Sequence, residues 1–179
     1  MKSLFIGLSI ILSVAMPVTG TGAANADANL MQCKNIQAST TNIQGSTIDM
    51  ETSTIGKITY YMIKTEEQLR SIGKGKYLMS YNYMLDANIA LTGEWVAIGD
   101  GDNPFTGSFN GNGFTISNLK ITSKTAEYIG LFGYVEGGTI YNVTLKNIDI
   151  DSAGGKGKHV GAIVAICLDG DVYDNEVIK

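Results

Sequence analysis

A short pattern recurs along the second half of this chain and narrows the fold more than any other feature. Thr115-Ile116-Ser117-Asn118-Leu119-Lys120-Ile121 lines up with Thr139-Ile140-Tyr141-Asn142-Val143-Thr144-Leu145, an offset of 24 residues from Ile116 to Ile140. A looser copy, Asp171-Val172-Tyr173-Asp174-Asn175-Glu176-Val177, follows at an offset of 32 residues from Ile140 to Val172. A second repeat is interleaved. Ile129-Gly130-Leu131-Phe132-Gly133 resembles Val160-Gly161-Ala162-Ile163-Val164-Ala165 with one residue inserted. Units this short cannot bury their own apolar faces, so neighbours must stack into one continuous core. No helical period runs through them. The pattern predicts an all-β fold, a right-handed parallel β-helix of about three partial rungs. Stacking by the repeat places Ile116 over Ile140 over Val172, and Ile121 over Leu145 over Val177. Asn118, Asn142 and Asp174 then form an internal polar column whose amides pair between rungs. An antiparallel sandwich is the alternative.

The residues ahead of the repeat read as its lead-in. Pro104-Phe105-Thr106-Gly107-Ser108-Phe109-Asn110-Gly111-Asn112-Gly113 sets glycines between aromatic and polar residues, as turns with positive φ or close backbone approach require. The whole chain has 22 Gly and 2 Pro, which suits short strands joined by tight turns. Thr65-Glu66-Glu67-Gln68 is a capping box and predicts a short capping helix over 66–72, stopped by Gly73. Strands are expected over 58–63, 77–91 and 94–98, the last holding Trp95.

The N-terminus has the form of a secretory signal peptide, residues 1–26. Lys2 precedes an uncharged apolar run over 4–15, Pro17 and Gly20 break it, and Ala24, Ala26 and Ala28 offer small cleavage-site residues. The run is about a dozen residues, short of the ~20 needed to span a bilayer, so no membrane insertion is expected after cleavage. Residues 27–57 are rich in Ser, Thr, Asn and Gln and read as a polar, partly disordered linker with one or two weak strands. The β-helical domain is expected over 58–179. Leu30-Met31-Gln32-Cys33 has lipobox spacing, but Gln32 stands where a small residue belongs. Cys33 and Cys167 could pair in an oxidising compartment; the sequence leaves this open. Without Lys2 the chain has 12 basic against 17 acidic side chains, which argues against nucleic acid and anionic lipid surfaces.

Several blocks together resemble the GLUG-motif region of bacterial surface proteins. They are Thr65-Glu66-Glu67-Gln68-Leu69, Tyr83-Met84-Leu85-Asp86-Ala87-Asn88-Ile89-Ala90-Leu91 and Trp95-Val96-Ala97-Ile98-Gly99, followed by Pro104 through Gly113, Gly130-Leu131-Phe132-Gly133 and Val160-Gly161-Ala162-Ile163. That region occurs ahead of the catalytic part of IgA-cleaving metallopeptidases and in adhesin-like proteins. The resemblance implies a secreted or cell-surface, non-catalytic structural or binding module. Relatives continue with more coils, so the domain reads as cut short at Lys179. The chain departs from the family at Asn88, Ala90 and Asn110, where acidic residues are usual.

No motif for chemistry emerges, and no catalytic, cofactor-binding or metal residue is assigned. His159, the only histidine, sits beside a Gly- and Lys-rich segment and reads as solvated surface; no H-E-x-x-H is present. Cys167, eight residues on, reads as a small buried residue or disulfide partner. Asp100-Gly101-Asp102-Asn103 has the oxygen density of a calcium loop without EF-hand spacing, and reads as a turn. The pairs Asp149/Asp151 and Asp169/Asp171 would project from one strand face each, which keeps a carbohydrate-active β-helix enzyme as an alternative. An inactive remnant of a larger surface peptidase is another. Asn142-Val143-Thr144 fits a glycosylation sequon, discounted because Asn142 is expected inside the coil. Tyr60, Tyr61, Tyr81, Tyr83 and Tyr141 could form a platform for a surface glycan or host protein. An uncovered last rung, 172–179, exposes backbone edges and predicts self-association or fraying there.

Overall fold

The computed structural model of the chain describes residues 48–122, 124–151 and 159–178. The proposed signal peptide, Cys33 and most of the linker lie outside them. Among the described residues the fold is all-β, with one short helix. The elements are β1 (Thr52–Ile55), β2 (Ile58–Ile63), α1 (Glu66–Arg70), β3 (Asn82–Leu85) and β4 (Ile89–Ala90). Next come β5 (Ser108–Asn110), β6 (Thr115–Ser117), β7 (Lys120–Ile121), β8 (Tyr128–Ile129) and β9 (Phe132–Glu136). A parallel set follows: β10 (Thr139–Tyr141), β11 (Thr144–Lys146), β12 (Asp149–Ile150), β13 (His159–Val160) and β14 (Val164–Leu168). Strands β15 (Asp171–Tyr173) and β16 (Glu176–Ile178) complete the list.

Each strand pairs with its counterpart in the next stretch of chain, in tiers. One sheet runs β1-β2-β3-β5-β10-β15 and another β16-β11-β6-β4; β12-β7, β13-β8 and β14-β9 are two-stranded. Among the described residues only the β1–β2 hairpin is antiparallel, and the other strand pairs are parallel. An antiparallel sandwich is therefore not the arrangement. Strand β1 lies within the stretch expected to be linker, and its pairing with β2 makes it part of the folded unit.

The registers correct part of the expected stacking. Ile140 does lie over Val172, and Leu145 over Val177. Ile116, however, pairs with Leu145 rather than Ile140, and Ile121 with Ile150 rather than Leu145. Beneath Ile140 lies Phe109. The cause is that each tier turns two similar corners. Thr115-Ile116-Ser117-Asn118-Leu119 resembles both Thr139-Ile140-Tyr141-Asn142-Val143 and Thr144-Leu145-Lys146-Asn147-Ile148, and the second is its structural partner. The interleaved repeat is in the expected register, Ile129 with Val160 and Phe132 with Val164, the extra residue falling between.

These columns make the core. Tyr83, Phe109 and Ile140 are fully buried in one, Ile116 and Leu145 in the next. Each such side chain contributes about 1.5–3 kcal/mol of burial. The column ends are open, with Val172 42% and Val177 46% exposed. At the corners Asn118, Asn142, Asn147 and Asp174 adopt φ of 62°, 54°, 56° and 52°. Asn and Asp tolerate this left-handed region better than other side chains. The expected single polar column is thus two corner rows. Asn147 Nδ2 donates to Asn118 Oδ1 at 2.6 Å, while Asn142 is exposed at the other corner and donates to Asn110 Oδ1 at 3.4 Å.

The lead-in caps the stack. Helix α1 begins with the expected capping box: Thr65 Oγ1 accepts from Gln68 N–H, and Gln68 Oε1 accepts from Thr65 N–H. It buries Gln68 and Leu69. Glu66 and Arg70 on its other side grip the following loop, through Thr92 and through the carbonyls of Thr92 and Glu94. Strands shorter than expected replace the 77–91 run, and residues 94–98 form no strand, only a bridge from Ile98 to Phe132. Trp95 is instead a buried plug. Its indole N–H donates to Leu131 O at 3.1 Å, and the Arg70 guanidinium lies 4.6 Å from its ring centre.

Candidate functional site

The six-stranded sheet has an inner and an outer face because side chains alternate along each strand. Register places Tyr61, Tyr83, Phe109, Ile140 and Val172 in the inner column. The adjacent outer column is Met62, Met84, Asn110, Tyr141 and Tyr173. Tyr60, two residues before Met62, shares that outer face.

Three tyrosines and two asparagines meet there. The rings of Tyr141 and Tyr173 stack on successive tiers, 5.4 Å between centres and 16° between planes. The hydroxyls of Tyr60 and Tyr141 lie 3.3 Å apart. That hydrogen bond, with burial and the nearby tyrosines, pushes the Tyr60 phenol up to about 12, so it stays protonated at any physiological pH. Asn110 is buried and accepts from Asn112 N–H at 2.8 Å and from the Asn142 amide. Exposure rises along the strip: Tyr60 is buried, Tyr141 half-buried, Tyr173 exposed. The result is a strip of aromatic rings, hydroxyls and amides, with Tyr60 and Asn110 buried beneath Tyr141, Tyr173 and Asn142, and with the exposed Asp171 on the same face of β15 as Tyr173.

The expected tyrosine platform is split by this geometry. Tyr60 and Tyr141 join it, and Tyr173 belongs with them although its identity alone did not mark it. Tyr61, Tyr81 and Tyr83 gather on the other side. Tyr61 stacks on Tyr81 at 5.0 Å and 10°, and Tyr83 is fully buried, its hydroxyl donating to Leu78 O at 2.8 Å. Burial raises the Tyr83 phenol well above its ordinary value. These three serve packing.

The other candidates are dispersed. Asp100 Oδ1 accepts the N–H groups of Asp102 at 3.0 Å and Asn103 at 2.8 Å, which is a side-chain-closed turn. Among the described residues no three His, Cys, Asp or Glu gather as a metal site would need. Asp149 lies on β12 beside Lys120, whereas Asp171 lies on β15 in a different sheet. Asp169 has φ 52° in a turn, so it and Asp171 do not share a strand face. His159 is exposed but belongs to a strand, β13, with its ring stacked on Tyr128 at 5.7 Å. Cys167 is an exposed free thiol on β14, not a buried residue. Asn142 lies at an exposed corner, which removes the structural ground for discounting its sequon.

Comparison with known proteins gives two partial likenesses. The chain is 29% identical over 138 residues to Halomucin of Haloquadratum walsbyi, covering 66% of this chain and 2% of that protein. It is 35% identical over 97 residues to a protein of Evansella cellulosilytica provisionally named a Gly-rich membrane protein, covering 48% of this chain and 11% of that one. The chain thus spans a small fraction of the curated relatives it matches. No family model matches it, and no solved structure does.

Proposed function

We propose that the tiers form a parallel β-helix and that the protein is a secreted, non-catalytic structural and binding module of a cell-surface or adhesin-like protein, of the GLUG-motif kind. The observation that carries the binding part is the outer strip of Tyr60, Tyr141, Tyr173, Asn110 and Asn142. Its chemistry suits a surface glycan that is not anionic: rings stack on sugar C–H faces, amides and hydroxyls exchange hydrogen bonds with sugar hydroxyls, and the Asp171 carboxylate on the same face accepts from sugar hydroxyls. Parallel pairing with side chains in register supports the β-helix. The names of the two relatives, one a membrane protein, agree with a surface location. No helix among the described residues is long and apolar enough to cross a membrane.

A glycan and host-protein binding screen of the chain, repeated with Tyr141→Ala and Tyr173→Ala, tests this reading. Binding of a non-anionic glycan that both substitutions weaken is the expected result. Binding untouched by either, or no glycan bound at all, contradicts it.

A further inference from the structure

The chain has two Asn-Gly steps, Asn110-Gly111 and Asn112-Gly113, one directly after the other. Asn-Gly is the step at which a side-chain amide is lost most readily, because glycine has no Cβ to keep its backbone nitrogen away from the preceding carboxamide. The structure gives the two steps opposite surroundings.

Asn110 ends β5 and is buried, and its Oδ1 accepts from Asn112 N–H and from the Asn142 amide. Gly111 N–H donates to Tyr141 O at 2.9 Å, and the glycine lies directly against the Asn142 carbonyl of the next tier. Turning the Asn110–Gly111 peptide toward the side chain breaks the bond to Tyr141 and drives backbone into backbone. Asn112 and Gly113 are instead the central residues of a turn closed by Phe114 N–H to Gly111 O at 2.9 Å. Their φ values, 51° and 78°, are both positive, as in a type I′ turn. Asn112 is exposed, and a Cβ on Gly113 would meet nothing within 4 Å. Gly113 N–H makes no hydrogen bond among the described residues. The Asn112 side chain is held by Nδ2 donating to Leu85 O at 3.1 Å.

We propose that Asn112 is a site of spontaneous deamidation in the folded protein, and that Asn110 is protected from it. The Gly113 nitrogen, giving its proton to solvent, attacks Asn112 Cγ. The N–Cγ bond forms, the Cγ–Nδ2 bond breaks, and Nδ2 takes a proton from water and leaves as ammonia. Water then opens the resulting cyclic imide at either carbonyl, leaving aspartate or isoaspartate at 112. No oxidant or reductant is needed. Either product sets a carboxylate where an amide donor faced the Leu85 carbonyl, so a tie between tiers is lost. Isoaspartate also lengthens the main chain through the side-chain methylene, in a turn whose Gly111 has no room to shift. The site adjoins the outer strip through the Asn112 N–H bond to Asn110, but the proposal stands independently of the glycan reading.

The test incubates the full chain in mildly alkaline buffer, folded and in concentrated urea, until the urea sample has reacted at both sites. Peptide mass mapping locates the loss, and enzymatic methylation of isoaspartate identifies the product. In the folded chain, loss at Asn112 should exceed loss at Asn110 by about tenfold or more, the factor set by the costlier local opening at Gly111. In urea the two sites should react at similar rates. A folded chain that keeps Asn112 intact would overturn the proposal, as would equal loss at the two sites in the folded chain. The variant Asn112→Asp carries the new charge on an ordinary backbone. The aged chain, rich in isoaspartate, should melt below it; equal melting would overturn the part assigned to the lengthened turn.

Discussion

Gly111 and Gly113 are two residues apart in the same turn, yet the structure gives them different reasons to be glycine. A Cβ on Gly111 would lie 1.9 Å from Asn142 O, 2.6 Å from Asn142 C and 2.7 Å from Val143 Cα. All three are backbone atoms of the next tier, so no side chain can swing aside. Relief requires moving the Asn142 corner by more than ~1 Å, which strains the bond from Gly111 N–H to Tyr141 O at 2.9 Å. Overpacking costs about 1–3 kcal/mol and a weakened hydrogen bond about 1 more, so Gly111→Ala should cost roughly 2–4 kcal/mol. Gly113 has φ +78° and open space around it. Gly113→Ala should cost only the left-handed penalty, about 1–2 kcal/mol. Asn tolerates that region, as Asn112 beside it does at 51°. Gly113→Asn should therefore recover most of the loss, and Gly111→Asn should recover none. Thermal unfolding followed by circular dichroism reads the difference, at roughly 2–4 °C per kcal/mol. Equal effects at the two sites, or rescue by Asn at 111, would refute the close approach of the tiers.

Two further outcomes are expected. Leu145, fully buried between Ile116 and Val177, should cost about 2–5 kcal/mol as Leu145→Ala, while Val177→Ala at the half-open end should cost less than ~1, both read from urea midpoints. Burial alone would raise the Glu66 carboxyl, but the Thr92 N–H and hydroxyl and the Arg70 guanidinium outweigh it and hold it below its ordinary value. A lowered folded value means stability present above the unfolded value and lost as pH falls through the folded one. Glu66→Gln should thus be less stable than the parent at neutral pH, and the gap should narrow into acid; a gap independent of pH contradicts this.

The sequence revealed that units repeat and that they stack, because glycine, asparagine and β-branched residues mark short strands and corners. The helix start at Thr65 was legible for the same local reason: its capping box is closed within four residues. The register between tiers was less legible. Two corners per tier carry the same strand-Asn-apolar pattern, and the corner before Thr115 is disguised by Gly111-Asn112-Gly113, where Asn142-Val143 stands in the tier above. Trp95 read as a strand residue because aromatic residues favour strands; its fate is set by Arg70 and the Leu131 carbonyl, both distant in sequence. The outer strip escaped for a related reason. The 32-residue offset already sets Tyr173 beside Tyr141, but which face the pair shares depends on the pairing of β2, β3 and β5, and Tyr83 resembles Tyr60 in sequence but alternates to the opposite face.

Disulfide trapping of the register tests the stacked arrangement most directly. Ser117 and Lys146 are partners on adjacent parallel strands, about 4.8 Å apart, within the Cα range a disulfide spans. The 24-residue repeat would instead pair Ser117 with Tyr141. With Cys33 and Cys167 replaced by serine, Ser117→Cys with Lys146→Cys should cross-link on mild oxidation, as read by peptide mass mapping. Ser117→Cys with Tyr141→Cys should not. Cross-linking of the second pair in preference to the first would contradict the account.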